Sequence, residues 1–203
     1  MRLSTSLLSG ALALLVLASG CESVKNIDMD NDTGHAVMAL DYRDFQLAAD
    51  ELVQSLLGSG ALKRPDGGRY VMTTGRIVND TMQRINTDQL MAKIEEAMLN
   101  SGQVVMTAAV GGQGAPDAMV HEVRQLRQNE EFNQATIAQK GTLIAPDMSI
   151  SGLILQRDIR YSRSKTQVEY YFQLRVASIT TGLVHWQRET IIGKRGSNKS
   201  VSW

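Results

Sequence analysis

The stretch that decides the fold runs through four segments: MSISGLILQRDIRY (148–161), SRSK (162–165), VEYYFQLRVASI (168–179) and LVHWQRETII (183–192). Apolar residues recur at every second position from Tyr170 to Val176, which is the period of a half-buried β-strand. The SRSK segment and the TTG at 180–182 are polar, turn-forming connections between such runs. The stretch therefore predicts three consecutive strands joined by hairpins, which is an antiparallel meander.

The preceding part of the chain changes to a helical period. Apolar residues spaced by three and four predict a first helix, capped by Asp41 or Asp44 and ended by Gly58 or Gly60. Three further helices and two strands are predicted: a helix that Thr87 caps and Gly102 ends, helices from Pro116 to Leu126 and from Phe132 to Lys140, and strands at 70–78 and 104–106. This order predicts an α+β fold, a single mixed or antiparallel sheet of about five strands with helices packed on it, ending in the meander.

Composition excludes several classes of protein. The chain has 203 residues, with 21 Lys and Arg against 21 Asp and Glu, and 43% of its residues are hydrophobic. Balanced charge argues against a generally basic nucleic-acid binder, because such proteins gain affinity by neutralising phosphates. The hydrophobic content and zero net charge also argue against a disordered chain. One cysteine can form neither an internal disulfide nor a Cys-rich zinc site.

The first twenty residues have the pattern of an export signal. Arg2 is the only charge before Glu22, and an almost wholly apolar run follows from Leu3 to Ala18. That run is shorter than the ~20 residues a membrane-spanning helix needs. A positive start, a short apolar centre and small residues at its end are typical of a secretory signal peptide.

The single cysteine, Cys21, follows directly after this segment in the sequence LASGC. The pattern resembles a bacterial lipobox, which implies cleavage before Cys21 and attachment of lipid, including palmitate, to the mature N-terminus. The alternative is an ordinary signal peptide with an incidental cysteine. Glu22, rather than Asp, follows the cysteine, and by resemblance this favours the outer membrane. We therefore predict a signal peptide at 1–20, a lipid-anchored flexible tether at 21–40 and a globular domain at 41–203.

No arrangement of residues in the sequence indicates catalysis. The three histidines lie far apart and outside any metal-binding motif. Ser162 and Lys165 have Ser-x-x-Lys spacing but lie in a hairpin, whereas the transpeptidase motif lies on a helix. The glycine-containing tail from Lys194 to Trp203, which we predict to be polar and basic, lacks the spacing of a phosphate loop. We predict that the protein is not an enzyme, with no cofactor, no metal, no nucleic-acid partner and no small-molecule substrate.

Two groups of basic residues are candidate surfaces for docking a protein partner. Arg124 and Arg127 lie three apart on one face of the third helix, and Arg160, Arg163 and Lys165 cluster at the hairpin. Arginine is enriched at the energetic centres of interfaces. A charged face in contact with water explains both groups equally well, and the sequence leaves this alternative open.

A resemblance to a known family rests on four motifs within residues 68–203. They are Gln103-Val104-Val105, Gly152-Leu153-Ile154, the hairpin ITTGLVHW at 179–186 and the closing Lys194-Arg195-Gly196-Ser197. With the lipobox and the order of helices and strands, they resemble the LpoB family, outer-membrane lipoproteins that activate penicillin-binding proteins.

The resemblance implies a non-catalytic role in peptidoglycan synthesis. The domain, facing the periplasm, would bind a bifunctional class A penicillin-binding protein and favour its active state. The tether of about 20 residues is short, spanning at most about 70 Å when fully extended. This length motivates an alternative, a structural or assembly lipoprotein of the envelope that belongs to a secretion channel or a surface appendage.

Overall fold

The structure is a computed structural model that describes residues 37–111 and 116–199, together with Asp28. The predicted signal peptide, Cys21 and most of the predicted tether lie outside the described residues. The described helices are α1 (Tyr42–Gly58), α2 (Thr87–Asn100) and α3 (Ala118–Gln125), and the strands are β1 (Tyr70–Asp80), β2 (Val104–Met106), β3 (Met148–Arg160), β4 (Lys165–Ser178) and β5 (Val184–Ser197). None of the described helices combines the length and the apolar character needed to cross a membrane.

All five strands form one sheet in the order β2-β1-β3-β4-β5. Strand β1 pairs in parallel with β2 and β3, while β3, β4 and β5 pair antiparallel in sequence. The predicted α+β class, the single mixed sheet of five strands and the closing meander are therefore confirmed. A bulge between Thr74 and Ile77 shifts the β1 register by one residue, so that both flanking segments still turn buried residues towards the helices.

Helices α1 and α2 cover one face of this sheet. Their buried residues pack against the even-numbered residues of β4 from Val168 to Val176, where Tyr170 and Phe172 are the largest fully buried side chains. Phe45 of α1 meets the Phe172 ring edge to face, with 5.9 Å between ring centroids. The period of two in β4 and the period of three and four in α1 thus meet in a single core.

The two candidate caps of α1 act together. Asp41 is the N-cap, and its side chain accepts hydrogen bonds from the backbone N–H groups of Arg43 at 3.0 Å and Asp44 at 3.2 Å. The Asp44 carboxylate in return accepts from the Asp41 N–H at 2.8 Å, which completes a capping box. The cap of α2 is Asn86, one residue before Thr87, which we predicted as the cap and which is the first helical residue.

Three local predictions were wrong. Strand β5 continues to Ser197, so Lys194 lies in the sheet and does not begin a tail, because β4 itself starts at Lys165 and offers a pairing partner that far. The segment predicted as a fourth helix forms a single 3-10 turn at Gln134–Thr136. Helix α3 buries none of its residues, since it lies at the margin of the sheet with Met119 54% exposed.

The start of the domain is fixed by a buried polar cluster on the helix side of the sheet. The Lys194 ammonium forms a salt bridge with Asp44 and donates to the Ala39 carbonyl at 2.7 Å. The hydroxyl of Tyr170 donates to the Met38 carbonyl at 3.1 Å, and the Leu40 N–H donates to Gln83 at 3.0 Å. Residues 38–40, which the sequence interpretation placed in the tether, therefore lie against the domain.

Candidate docking face

The second face of the sheet is the candidate functional site. Along β3, β4 and β5 its residues are half-buried or exposed, so no other part of the described chain covers them. We call this surface the open face and define it by Val78 of β1 with the outward residues of β3 to β5: Ser151, Leu153, Leu155, Arg157, Gln167, Glu169, Tyr171, Gln173, Arg175, Gln187, Glu189, Ile191 and Arg195.

Apolar side chains lie side by side in the middle of the open face. Leu155 of β3 is the register partner of Tyr171 of β4, which in turn is the partner of Ile191 of β5. The neighbouring row brings Val78 of β1 beside Leu153 of β3. Directly opposed residues have Cβ atoms about 5 Å apart, so these five side chains form one continuous surface.

This apolar centre is exposed to a degree that needs explanation. Val78 is 49% exposed and Ile191 is 54% exposed, although both belong to regular strands. Scattered apolar residues on a surface are ordinary, whereas a contiguous patch with a polar margin marks an interaction site. Tyrosine, present here as Tyr171, is also among the residues that contribute most to binding energy in protein interfaces.

Polar and charged residues form the margin of the open face on one side. The Glu169 carboxylate accepts hydrogen bonds from the Tyr171 hydroxyl at 2.6 Å and the Gln167 amide at 2.7 Å. These hydrogen bonds, with the nearby charge of Arg157, lower the pKa of Glu169 below its ordinary value. The hydrogen bond to Glu169 raises the pKa of Tyr171. At neutral pH this margin therefore holds an ionised carboxylate beside a neutral phenol.

The opposite margin is a shallow depression of about 150 Å³. It is lined by residues of three neighbouring strands, among them Ser151 of β3, Arg175 of β4 and Gln187 of β5. Arg175 is exposed and has no salt-bridge partner among the described residues. A guanidinium in this position can pair with a carboxylate of a partner in a bidentate geometry.

The first predicted docking pair, Arg124 and Arg127, is engaged by its own chain. The Arg124 guanidinium donates to the Gln139 carbonyl at 3.2 Å and to the Thr142 hydroxyl at 3.1 Å. The Arg127 guanidinium donates to the Ala138 carbonyl at 2.8 Å. Both arginines thus hold the segment that follows α3 against this helix, and their docking role stays a prediction.

The second predicted group lies at the far end of the sheet from α3. Arg160 ends β3, Lys165 begins β4, and Arg163 lies in the turn between them. All three are exposed, and none forms a salt bridge within the described part of the chain. Since β3 has 13 residues, about 40 Å of strand separates this turn from the α3 side. The structure therefore does not bring the two groups into one site.

The remaining candidates from the sequence do not form a chemical site. His121 lies 2.7 Å from the Ala109 carbonyl through its Nε2 atom, His185 is exposed on β5, and His35 lies outside the described residues. In the described part of the chain, no three residues of the types His, Cys, Asp and Glu come together as metal ligands would.

The sequence analysis missed the residues of the open face. They lie at the odd-numbered positions of β3, β4 and β5, opposite in parity to the core positions of β4. The sequence signal for an apolar open face was available in ISGLIL at 150–155, where apolar residues occupy both even- and odd-numbered positions of one strand. A strand with one face in water alternates more strictly than this.

The α+β domain therefore has one side closed by helices and an open sheet side with an apolar centre, which is a candidate surface for docking a protein. The particular family is shown by a match between residues 44–192 and the family model described as "Peptidoglycan-synthase activator LpoB". The chain belongs to the LpoB family. The family is one of regulatory activators, and membership supports a role in activating a peptidoglycan synthase.

Solved structures similar to the chain include members of this family. The LpoB C-terminal domain from Escherichia coli is 12% identical, with a TM-score of 0.45, and the match covers 74% of this chain and 99% of that one. The LpoB C-terminal domain from Salmonella enterica is 14% identical, with a TM-score of 0.41 and coverage of 73% and 98%. Lipoprotein GNA1162 from Neisseria meningitidis is 16% identical, with a TM-score of 0.35 and coverage of 66% and 87%. None of the curated proteins matches the chain.

Proposed function

We propose that this protein is an outer-membrane lipoprotein, anchored through Cys21, that docks a bifunctional class A penicillin-binding protein on its open face. Docking stimulates the glycosyltransferase and transpeptidase activities of the synthase without any chemistry by the lipoprotein. The observation that carries the proposal is the apolar row of half-buried Leu155 and Tyr171 and exposed Ile191, with its polar margin. Family membership supports a peptidoglycan synthase as the partner.

Activation of this kind requires differential binding. A ligand shifts an equilibrium between two states of its partner only by as much as it prefers one of them. A tenfold rise in the active population of a mostly inactive synthase needs the open face to bind the active state about tenfold more tightly, or about 1.4 kcal/mol. The interactions of one aromatic side chain and its neighbours can supply a difference of this size.

The length of the tether limits where the partner can be bound. Because residues 38–40 lie against the domain, the remaining part of the predicted tether is residues 21–36, which would span at most about 55 Å if fully extended. The domain adds the length of its strands, about 45 Å for the 14 residues of β4. The proposed complex therefore requires the docking surface of the synthase to extend well into the periplasm.

The test compares two substitutions of exposed apolar residues. Ile191→Arg places a charge in the centre of the open face, and Leu47→Arg places the same charge on the solvent side of α1, where Leu47 is 66% exposed. Both variants should unfold like the wild type, since neither residue is in the core. Ile191→Arg should weaken binding to a purified class A penicillin-binding protein at least tenfold and abolish stimulation of glycan polymerisation, because a desolvated, unpaired charge is costly in an interface.

The possible outcomes distinguish an error in the proposed docking surface from an error in the proposed partner. If both variants bind and stimulate like the wild type, the open face is not the docking surface. If the wild type itself neither binds nor stimulates any class A penicillin-binding protein of its organism, the proposed partner is wrong. Equal loss in both variants would indicate a general effect of added positive charge.

A further inference from the structure

The turn between β3 and β4, together with the end of β5, forms a strongly basic end of the domain. We call residues 157–165 and 195–199 the hairpin end. Its cations are Arg157, Arg160, Arg163, Lys165, Arg195 and Lys199, and its only carboxylate is Asp158. The chain from Cys21 onwards, in contrast, has 20 basic and 21 acidic residues because Arg2 is removed. The positive charge is therefore concentrated at the hairpin end, although the net charge of the chain is close to zero.

Part of this charge is free to meet a ligand. Arg160, Arg163 and Lys165 are exposed and form no salt bridge within the described residues. Arg195 instead stacks on the ring of Tyr161, with its guanidinium carbon 3.8 Å from the ring centroid. Tyr161 is itself 56% exposed. The hairpin end thus combines unpaired cations with an amphipathic ring, a combination that suits the interface between water and a lipid membrane.

The described chain also begins on this side of the domain. Lys194 donates to the Ala39 carbonyl at 2.7 Å, and Lys194 is the register partner of Val168, three residues from Lys165. Ala39 therefore lies about 10 Å along the strands from the hairpin end. Ser178, at the other end of β4, is ten residues beyond Val168 and thus about 34 Å from the position of Ala39. The predicted tether therefore joins the domain nearer to the hairpin end than to the opposite end of the sheet.

We propose that the hairpin end binds the anionic phospholipid headgroups of the leaflet that holds the Cys21 lipid. The inference rests on the proposed lipid anchor and does not depend on the identity of the synthase. Headgroup phosphates complement the unpaired guanidinium and ammonium groups, and a basic patch added to a lipid chain gives durable membrane attachment. Bound in this way, the strands stand away from the membrane.

This orientation leaves the open face accessible. Tyr171 lies six residues from Lys165 along β4, so the apolar row is held about 20 Å from the headgroups. The tether then fixes the domain near the membrane, and the hairpin end decides which way the docking face points. Arg157 and Arg195 lie at the border of the two surfaces, but Arg160, Arg163 and Lys165 lie outside the open face. Membrane binding and synthase docking are therefore separable by substitution of these three cations.

The experiment measures binding to lipid vesicles without the lipid anchor or the synthase. The chain from residue 21 carrying Cys21→Ser is sedimented with vesicles of phosphatidylethanolamine and phosphatidylglycerol at a ratio of about 3:1, and with neutral phosphatidylcholine vesicles. We expect binding only to the anionic vesicles, weakening as salt is added. The triple variant Arg160→Gln, Arg163→Gln, Lys165→Gln should bind about a hundredfold more weakly, since each cation near an anionic surface contributes roughly a factor of five to ten.

A matched variant controls for net charge. Lys63→Gln, Arg69→Gln, Lys140→Gln removes three exposed cations outside the hairpin end, so both triple variants carry the same charge. The control should bind like the wild type. Equal weakening in both variants, no binding of the wild type to anionic vesicles, or binding to purified peptidoglycan in place of vesicles would each overturn the proposal. Stimulation of a synthase by a chain that ignores vesicles would overturn it while leaving the proposed function intact.

Discussion

Removing the ammonium group of Lys194 tests whether the start of the domain is held by a buried ion pair. The Lys194 and Asp44 side chains are only 10% and 11% exposed, and the two form a salt bridge. Substitution Lys194→Met keeps most of the side-chain volume but removes the charge and the hydrogen bond to Ala39. The Asp44 carboxylate is then left with the Asp41 N–H as its hydrogen-bond donor.

The expected cost is about 3 kcal/mol of unfolding free energy. Breaking a buried pair by removing one partner costs roughly 3–5 kcal/mol, because the remaining charge is not compensated. The lower end applies because Asp44 keeps its backbone hydrogen bond. A double variant with Asp44→Asn should recover more than half of this loss, since an amide is cheaper to bury unpaired than a carboxylate.

Urea unfolding followed by circular dichroism measures these free energies, and a double-mutant cycle isolates the pair. Lys165→Met is the control, because Lys165 is another lysine of the sheet but is exposed and outside any salt bridge in the described chain. It should change stability by less than about 0.5 kcal/mol. A loss below about 1 kcal/mol for Lys194→Met, or additive losses in the cycle, would refute the reasoning.

Two further changes test the packing of the sheet and the surroundings of its central tyrosine. Gly152→Ala should lower the free energy of unfolding by at least about 2 kcal/mol, because a Cβ atom there would lie 2.7 Å from a backbone carbonyl of β4. Gly193→Ala is the control in the same unfolding assay, because nothing lies within 4 Å of the added atom. Burial, with the charges of two nearby carboxylates, raises the pKa of Tyr170 to about 12. The neutral phenol is thus favoured in the folded state, and its stabilisation is complete below the unfolded pKa of about 10 and is lost between pH 10 and 12. Wild-type stability should fall more steeply over this interval than that of Tyr170→Phe, and parallel curves would contradict the assignment.

Much of the fold could be predicted because its signals are local. Alternation in β4 from Val168 to Val176 and the three-and-four spacing in α1 each specify one buried face, and turn residues separate them. The second strand of the parallel pair, Val104–Met106, was also predicted correctly although it has only three residues. What the pattern could not show was how far β5 extends, because glycine and basic residues from Gly193 to Ser197 have low strand propensity.

Non-local pairing overrides that propensity. Lys165 and Thr166 of β4 pair with Ser197 and Gly196, so the polar end of the chain completes a ladder that local sequence does not favour. Helix α3 shows the converse, because the apolar spacing of Met119 and Val123 favours a buried face, yet none of the residues of this helix is buried.

The candidate sites also differ in how far the sequence alone could identify them. The basic residues at 160–165 could be identified from sequence, since charge clustering in a turn is a local property. The open face could not, because Leu155, Tyr171 and Ile191 come from three strands and become neighbours only through the register of the sheet.

The sequence by itself determined the α+β class, the meander and the lipobox-like segment ending in Cys21, because each is written in a short stretch of the chain. Only the tertiary structure decided which face of the sheet the helices cover and which stays open. It also decided that Lys194 is a buried partner of Asp44. The physical reason is that burial depends on which distant segments meet, and the free energy of those contacts outweighs local preference.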